Sequence, residues 1–271
     1  MGYRDLDELR SHWDEFAPLY AAGLERTTTL LVRAACEHLR LAEAGAVLEV
    51  GAGPGAGALV LLEHLPPGAR LVVTDIAPCM VALARARLPD SVEVREANAE
   101  ELPFADAAFD RYLANLNLML VLDPDRALAE AHRVLRTGGL AAWSVWGRPE
   151  HSPMFTLPVL AARRVGIELP QSRSNFHLGG SAEDRAGLRA RAQAHGFGRV
   201  LSWYQAMVPD TRDGDSFADF TLRMPRWQKN LAGQPADRVT ALRRELASLV
   251  DDLLARGEPV GMEALVVVAQ K

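Results

Sequence analysis

The pattern of apolar and polar positions changes character twice along the chain. From residue 5 to 40 apolar residues recur at helical spacing and predict two helices, the first carrying Trp13, Phe16 and Tyr20. From residue 46 short apolar runs alternate with amphipathic stretches. AVLEV (46–50), RLVVTD (70–75), SVEVRE (91–96), DRYLAN (110–115) and LAAWSVW (140–146) predict five strands. Helices are predicted over 55–64 and 78–88. A further helix opens at Asp123-Pro124, an N-cap followed by proline at the first helical position. It is expected to run to about Arg136 and to stop at Thr137-Gly138-Gly139. Strands that alternate with helices imply a parallel sheet with right-handed crossovers.

After residue 147 the pattern loosens. Four prolines and the Gly179-Gly180 pair interrupt 148–180. Ser181-x-x-Asp184 then opens a helix that ends near Gly196, VLSWYQAMV (200–208) reads as a strand, a long helix fills about 235–256, and ALVVVAQ (264–270) is a final strand. The segments 148–180 and 210–233 are expected to form a lid over a ligand crevice.

Bulk properties narrow the class. The 271 residues are 49% hydrophobic, enough for one large domain with a lid. A net charge of −5 disfavours a broad nucleic-acid or anionic-membrane surface. Cys36 and Cys79 form no metal-spaced set and suit a reducing compartment. The charged N-terminus lacks the apolar core of a secretion signal, and Leu6 breaks the myristoylation pattern that Gly2 would open. The expectation is a soluble, cytoplasmic protein, monomer or homodimer, that uses no metal and engages neither nucleic acid nor membrane.

The chemistry concentrates at VLEVGAGPGAGALVL (47–61), a strand running through a glycine loop into a helix. Read as Gly51-x-Gly53-x-x-Ala56, the loop passes for a dinucleotide fingerprint. Asp75, 24 residues after Gly51 at the end of the second strand, suits the hydroxyls of a ribose. Both features fit NAD and S-adenosylmethionine equally. Glu49 separates them. A carboxylate two residues before the first glycine repels a pyrophosphate and attracts a sulfonium or an ammonium, because unit charges ~4 Å apart interact by about 4 kcal/mol at an effective dielectric near 20.

Here the sequence resembles class I S-adenosylmethionine-dependent methyltransferases, in particular the small-molecule branch that includes ubiquinone and menaquinone biosynthesis methyltransferases. The resemblance is strong over about 45–147 and looser elsewhere. The acid and glycine motif is matched by Glu49, Gly51, Gly53 and Gly55, with Ala52 between the glycines, and the ribose acid by Asp75. Ile76 and Met80 fall where relatives flank the adenine. REANAEELPF (95–104) is similar to the family's G-D-A-E-x-L-P-F, with Asn98 and Ala99 at the adenine positions and Ala97-Asn98 in place of the usual Gly-Asp. Asn115 and Leu116 match the residue after the fourth strand that contacts the methionine part. A histidine pair common there in relatives is Met119-Leu120 here. RVLRTGG (133–139) resembles the stop before the fifth strand. FAPLY (16–20) is similar to a segment that closes over the cofactor, with Tyr20 matched and the following Asp replaced by Ala21.

The resemblance implies an α/β fold: a Rossmann-like, doubly wound, mostly parallel seven-stranded sheet with N-terminal helices and a lid insertion after strand five. It implies a helical cap over 1–42 and a cofactor-binding domain over 43–271. It implies S-adenosylmethionine as cofactor and methyl transfer by in-line displacement to a small acceptor. Asn117, just past strand four, faces the expected acceptor. His151 and His177, in the lid, are the candidates for a base. Trp143 and Trp146 cannot both face one side of a regular strand, so one borders the pocket. The aromatic residues Phe155, Phe176, Trp203, Tyr204, Phe217, Phe220 and Trp227 suit an apolar or aromatic acceptor. Arg185, Arg189 and Arg191 read as one solvated helix face. Alternatives are a protein that binds S-adenosylmethionine without transferring its methyl, and an NAD-dependent oxidoreductase. A macromolecular methyltransferase is disfavoured by the charge and by the missing N/D-P-P-[YF] motif after strand four.

Overall fold

The computed structural model describes residues 3–170 and 176–271, so Gly2 and residues 171–175 of the expected lid lie outside the described residues. Two helices, α1 (Leu6–Gly23) and α2 (Glu25–Leu39), precede β1 (Ala46–Val50). Then come α3 (Ala56–Leu62), β2 (Arg70–Asp75), α4 (Pro78–Arg87), β3 (Glu93–Glu96), β4 (Phe109–Ala114), α5 (Pro124–Val134) and β5 (Leu135–Trp146). The remainder is α6 (Pro153–Arg164), α7 (Ala182–Ala194), β6 (Val200–Met207), α8 (Gly214–Arg223), α9 (Pro225–Leu231), α10 (Ala236–Ala255) and β7 (Met262–Gln270).

The seven strands form one sheet in the order β3-β2-β1-β4-β5-β7-β6. β1 to β5 are parallel, and β7 runs antiparallel between β5 and β6. β7 is covered on both faces, which is why its sequence is a nearly unbroken apolar run. The strand order reverses between β1 and β4. Ligands of open α/β sheets bind at such a switch point, beyond the carboxyl ends of the strands. α2 packs on the sheet: Val32, Ala35, Cys36 and Leu39 share a core with Val47, Leu71 and Ala142.

Strand five departs from expectation. α5 stops at Val134, and β5 starts at Leu135 rather than at residue 140. Leu135 is fully buried and pairs with Phe109, and the register then shifts. Gly138 takes φ +79° and its N–H donates to the Lys271 carbonyl at 2.8 Å, while Lys271 N–H donates to Gly139 at 3.0 Å. Thr137-Gly138-Gly139 is thus an irregularity inside a strand, pinned by the chain's last residue. The polar stretch 210–233 holds two helices, because α8 turns Phe217, Ala218, Thr221 and Leu222 to one buried face.

Candidate functional site

The loop after β1 needs its glycines. Gly51, Gly53 and Gly55 have φ of +65°, +57° and +92°, the left-handed region that side chains disfavour. A β-carbon on Gly51 would also collide with the Asn117 side chain, so the loop packs against the segment that follows β4. Ala52 N–H donates to the Thr74 carbonyl at 2.9 Å and ties the loop to the end of β2. Asp75 accepts from Gly53 N–H through Oδ2 and from Ala77 N–H through Oδ1, both at 2.9 Å. Burial pushes its carboxyl up to about 6 against the pull of those bonds.

Carboxylates gather around this loop. Glu25, the first residue of α2, is buried and accepts from Ala56 N–H at 3.1 Å and from the Arg87 guanidinium. The helix N-terminus that would take a pyrophosphate in a dinucleotide site already holds a carboxylate. Glu49 is 2% exposed, and its Oε2 has no hydrogen-bond partner among the described residues. Burial, with Asp75 and Glu25 nearby, pushes Glu49 up to about 8. Glu49, with its orphaned oxygen, and Asp75 fit a cationic ligand and oppose an anionic one, whereas Glu25 is already paired with Arg87. Sequence reading passed over Glu25, which nothing local marks as part of the loop.

A cavity of about 530 Å³ opens above the switch point. Tyr20, Gly51, Gly53, Asp75, Ile76 and Met80 line one end of it. Asn98, Ala99, Asn115, Leu116 and Asn117 also reach its wall. Glu49, Ala52 and Gly55 do not: Glu49 lies behind the loop against Gly57, Ala52 turns its backbone to β2, and Gly55 packs toward Leu88. Asn98 Oδ1 accepts from Glu100 N–H at 3.0 Å, so its carbonyl caps a turn and its Nδ2 is the group left for a ligand. Asn115 donates to the Thr28 carbonyl at 3.2 Å and accepts from Ser144 Oγ, which itself accepts from Leu116 N–H at 2.8 Å. This chain of bonds braces α2 to β4 and holds Leu116 at φ +51°. Tyr20 OH donates to Thr28 Oγ1 at 2.8 Å, because that hydroxyl gives its own proton to the Glu25 carbonyl.

The other end is apolar. Trp146 lines it, 4.7 Å from the Phe155 ring, and Phe155 lies 5.9 Å from Phe176. Trp143 faces the opposite side of β5 and packs in the core on Phe197 at 5.0 Å. Trp227 lines the cavity too, whereas Trp203 stacks on His38, Phe217 is core, and Tyr204 lies under Arg148. Arg185 is not a solvated residue of α7: it donates to Ser202 at the sheet edge. Neither expected base reaches the wall. His151 is exposed in the 3-10 turn Pro149–His151, which anchors instead through the fully buried Ser152, and His177 is absent from the lining although its neighbour Phe176 contributes. The histidine that does line the cavity is His12. Burial, with Arg226 and Lys229 nearby, pulls its imidazole down to about 4. Leu9, His12, Trp13, Phe16 and Tyr20 share a face of α1 at i, i+3 and i+4 spacing, so the aromatic pattern that singled out Trp13, Phe16 and Tyr20 also marked His12.

The fold is a doubly wound α/β sheet with buried carboxylates around a glycine loop at its switch point. Residues 48–143 match the family model of a methyltransferase domain. The matched stretch carries the glycine loop, Asp75 and the residues after β4, so the likeness falls on one end of the cavity. It is 36% identical over 137 residues to the malonyl-acyl-carrier protein O-methyltransferase of Geobacter sulfurreducens, covering 50% of this chain and 49% of that one. It is 32% identical over 145 residues to a ubiquinone/menaquinone biosynthesis C-methyltransferase of Geobacter sp. strain M21, covering 49% and 60%. The chain thus spans about half the length of these curated relatives. Among solved structures, the (4+2)-cyclase SpnF superposes with TM-score 0.59 at 19% identity over 100% of this chain and 97% of that one. An S-adenosylmethionine-dependent methyltransferase of Thermotoga maritima superposes with TM-score 0.57 at 19% identity over 97% and 99%. Both likenesses are of fold. Among the described residues no helix is long and apolar enough to cross a membrane.

Proposed function

We propose that the protein transfers a methyl group from S-adenosylmethionine to a small apolar or aromatic acceptor. The observation that carries this reading is the set of carboxylates Glu25, Glu49 and Asp75 around a glycine loop that opens on an aromatic-walled cavity. When bound, the cofactor supplies an electrophilic methyl group on a sulfonium. The chain's residues bind and orient. Each Asp75 oxygen spends one lone pair on the backbone and keeps another for a ribose hydroxyl. Gly51 and Gly53 let ligand approach the backbone. Glu49, set behind the loop, acts through its charge. Ile76, Met80 and Ala99 sandwich the base, and Asn98 offers it a donor. Asn117 and the Trp146–Phe155–Phe176 cluster position the acceptor and exclude water. The segments 148–180 and 210–233 act as the lid and 1–42 as the cap.

The relatives named as C- and O-methyltransferases support carbon or oxygen as the accepting atom. Calorimetric titration with S-adenosylmethionine, S-adenosylhomocysteine and NADH tests the cofactor. The two adenosyl ligands are expected to bind and NADH is not; NADH binding alone would overturn the reading. A second reading keeps the cofactor without transfer; a protein named a cyclase shares the fold over the whole chain, so the fold does not by itself carry methyl transfer. Release of S-adenosylhomocysteine during turnover of any acceptor decides for transfer.

A further inference from the structure

Five of the chain's seven methionines, Met80, Met119, Met154, Met224 and Met262, line the cavity above the switch point. Met80 belongs to the cofactor end, its sulfur 3.9 Å from where a β-carbon on Gly53 would lie. Two others meet at the aromatic end. Met154 stands in the first turn of α6 next to Phe155, whose ring is 4.7 Å from Trp146. Met154 N–H donates to the Gly261 carbonyl at 3.1 Å, which sets it beside Met262, the first residue of β7. In the pairing of β5 with β7, Trp146 lies opposite Ala264, two residues along from Met262. Residues directly opposite across two strands share a face, as do residues two apart, so Met262 and Trp146 face the same side of the sheet. Met154 and Met262 are both buried, and they reach this corner from separate elements.

A methionine side chain is unbranched, polarizable and turns about three bonds, so it refits around what it meets, whereas a β-branched side chain holds one shape. Resting on the methyltransferase reading, we propose that the acceptor end is an adaptable pocket that takes apolar acceptors of more than one shape, flat aromatic and flexible aliphatic alike, with Met154 and Met262 repacking around each. The cofactor end is built the opposite way, from left-handed glycines and an Asp75 held by two backbone N–H groups, which fix one geometry. The protein is selective for its cofactor and tolerant of its acceptor.

The experiment saturates the full chain with S-adenosylhomocysteine and titrates it calorimetrically with a flat probe, 2-naphthol, and a flexible one, 1-octanol. Each carries one hydroxyl on an apolar body of comparable size. Both are expected to bind, within about tenfold of each other, because the apolar areas they bury are alike. The double variant Met154→Ile with Met262→Ile stiffens the wall at nearly constant volume and is expected to widen that gap about tenfold or more. Its affinity for S-adenosylhomocysteine should be unchanged, which also shows that it is folded. Crystal structures of the unmodified protein with each probe read the repacking directly and decide the matter if the variant does not fold. Met154 or Met262 is expected to change rotamer between the two complexes. A gap above about tenfold in the unmodified protein, failure of either probe to bind, an unchanged gap in the folded variant, or identical methionine rotamers with both probes overturns the proposal. Failure of S-adenosylhomocysteine itself to bind the unmodified protein overturns the methyltransferase reading instead.

Discussion

The Glu49 carboxylate occupies the space that a β-carbon on Gly57 would fill. Gly57 sits in the first turn of α3 and is kept for room, not for backbone freedom. Alanine would raise helix propensity there by about 1 kcal/mol. Because Glu49 is buried with nowhere to swing, Gly57→Ala is expected instead to destabilise the fold by roughly 1–2 kcal/mol. Denaturant melts of Gly57→Ala, Glu49→Ala and the double variant measure the coupling. Strict additivity would show that the two residues do not press on each other.

Glu49 also makes stability depend on pH. Its folded-state value of about 8 lies above the ordinary 4.5, so the folded chain holds this proton more tightly than the unfolded chain. The stability it confers is fully present below about pH 4.5 and is lost as pH rises through about 8. Asp75, raised to about 6, acts in the same direction. The ligand-free melting temperature is expected to fall across this window, and Glu49→Gln to flatten the fall.

A cationic ligand favours ionised Glu49, so cofactor binding near pH 7 should release a proton. Binding enthalpies measured in buffers of different ionisation heat detect it. Equal release in the unmodified protein and in Glu49→Gln would show that another group responds to the ligand.

Asp75→Asn is expected to weaken S-adenosylhomocysteine binding by about 1–3 kcal/mol, the cost of a charged hydrogen bond. Its amide nitrogen would also face Gly53 N–H or Ala77 N–H, so the loop loses a bond whichever way the amide turns. Calorimetry and melting together separate the two losses. Unchanged affinity in a folded variant would remove Asp75 from the ribose site.

Arg111, buried in β4, donates to the carbonyls of Leu39 and Arg40 at the end of α2 and to Asp110. Arg111→Leu strands those acceptors and is expected to cost roughly 2–4 kcal/mol. Because α2 also carries Glu25 and Thr28, the variant should loosen the cofactor end as well. Hydrogen exchange across residues 25–39 reads this directly, and unchanged protection there would show that Arg111 does not hold α2 in place.

The sequence by itself determined the strands from β1 to β4, the glycine loop and the acids Glu49 and Asp75. These are local: short continuous apolar runs, left-handed glycines and a strand-end carboxylate can each be read within a few residues. Even there it misplaced the start of β5, because the pairing of Leu135 with Phe109 and the bonds to Lys271 lie outside any local window. Only the tertiary structure brought Glu25 to the N-terminus of α3, turned His151 outward, and set His12 of α1 in one wall with Thr221 and Arg226 of α8 and α9. Apolar periodicity records which face of an element is buried. It does not record which elements meet across that face, and the wall of this cavity is made of such meetings.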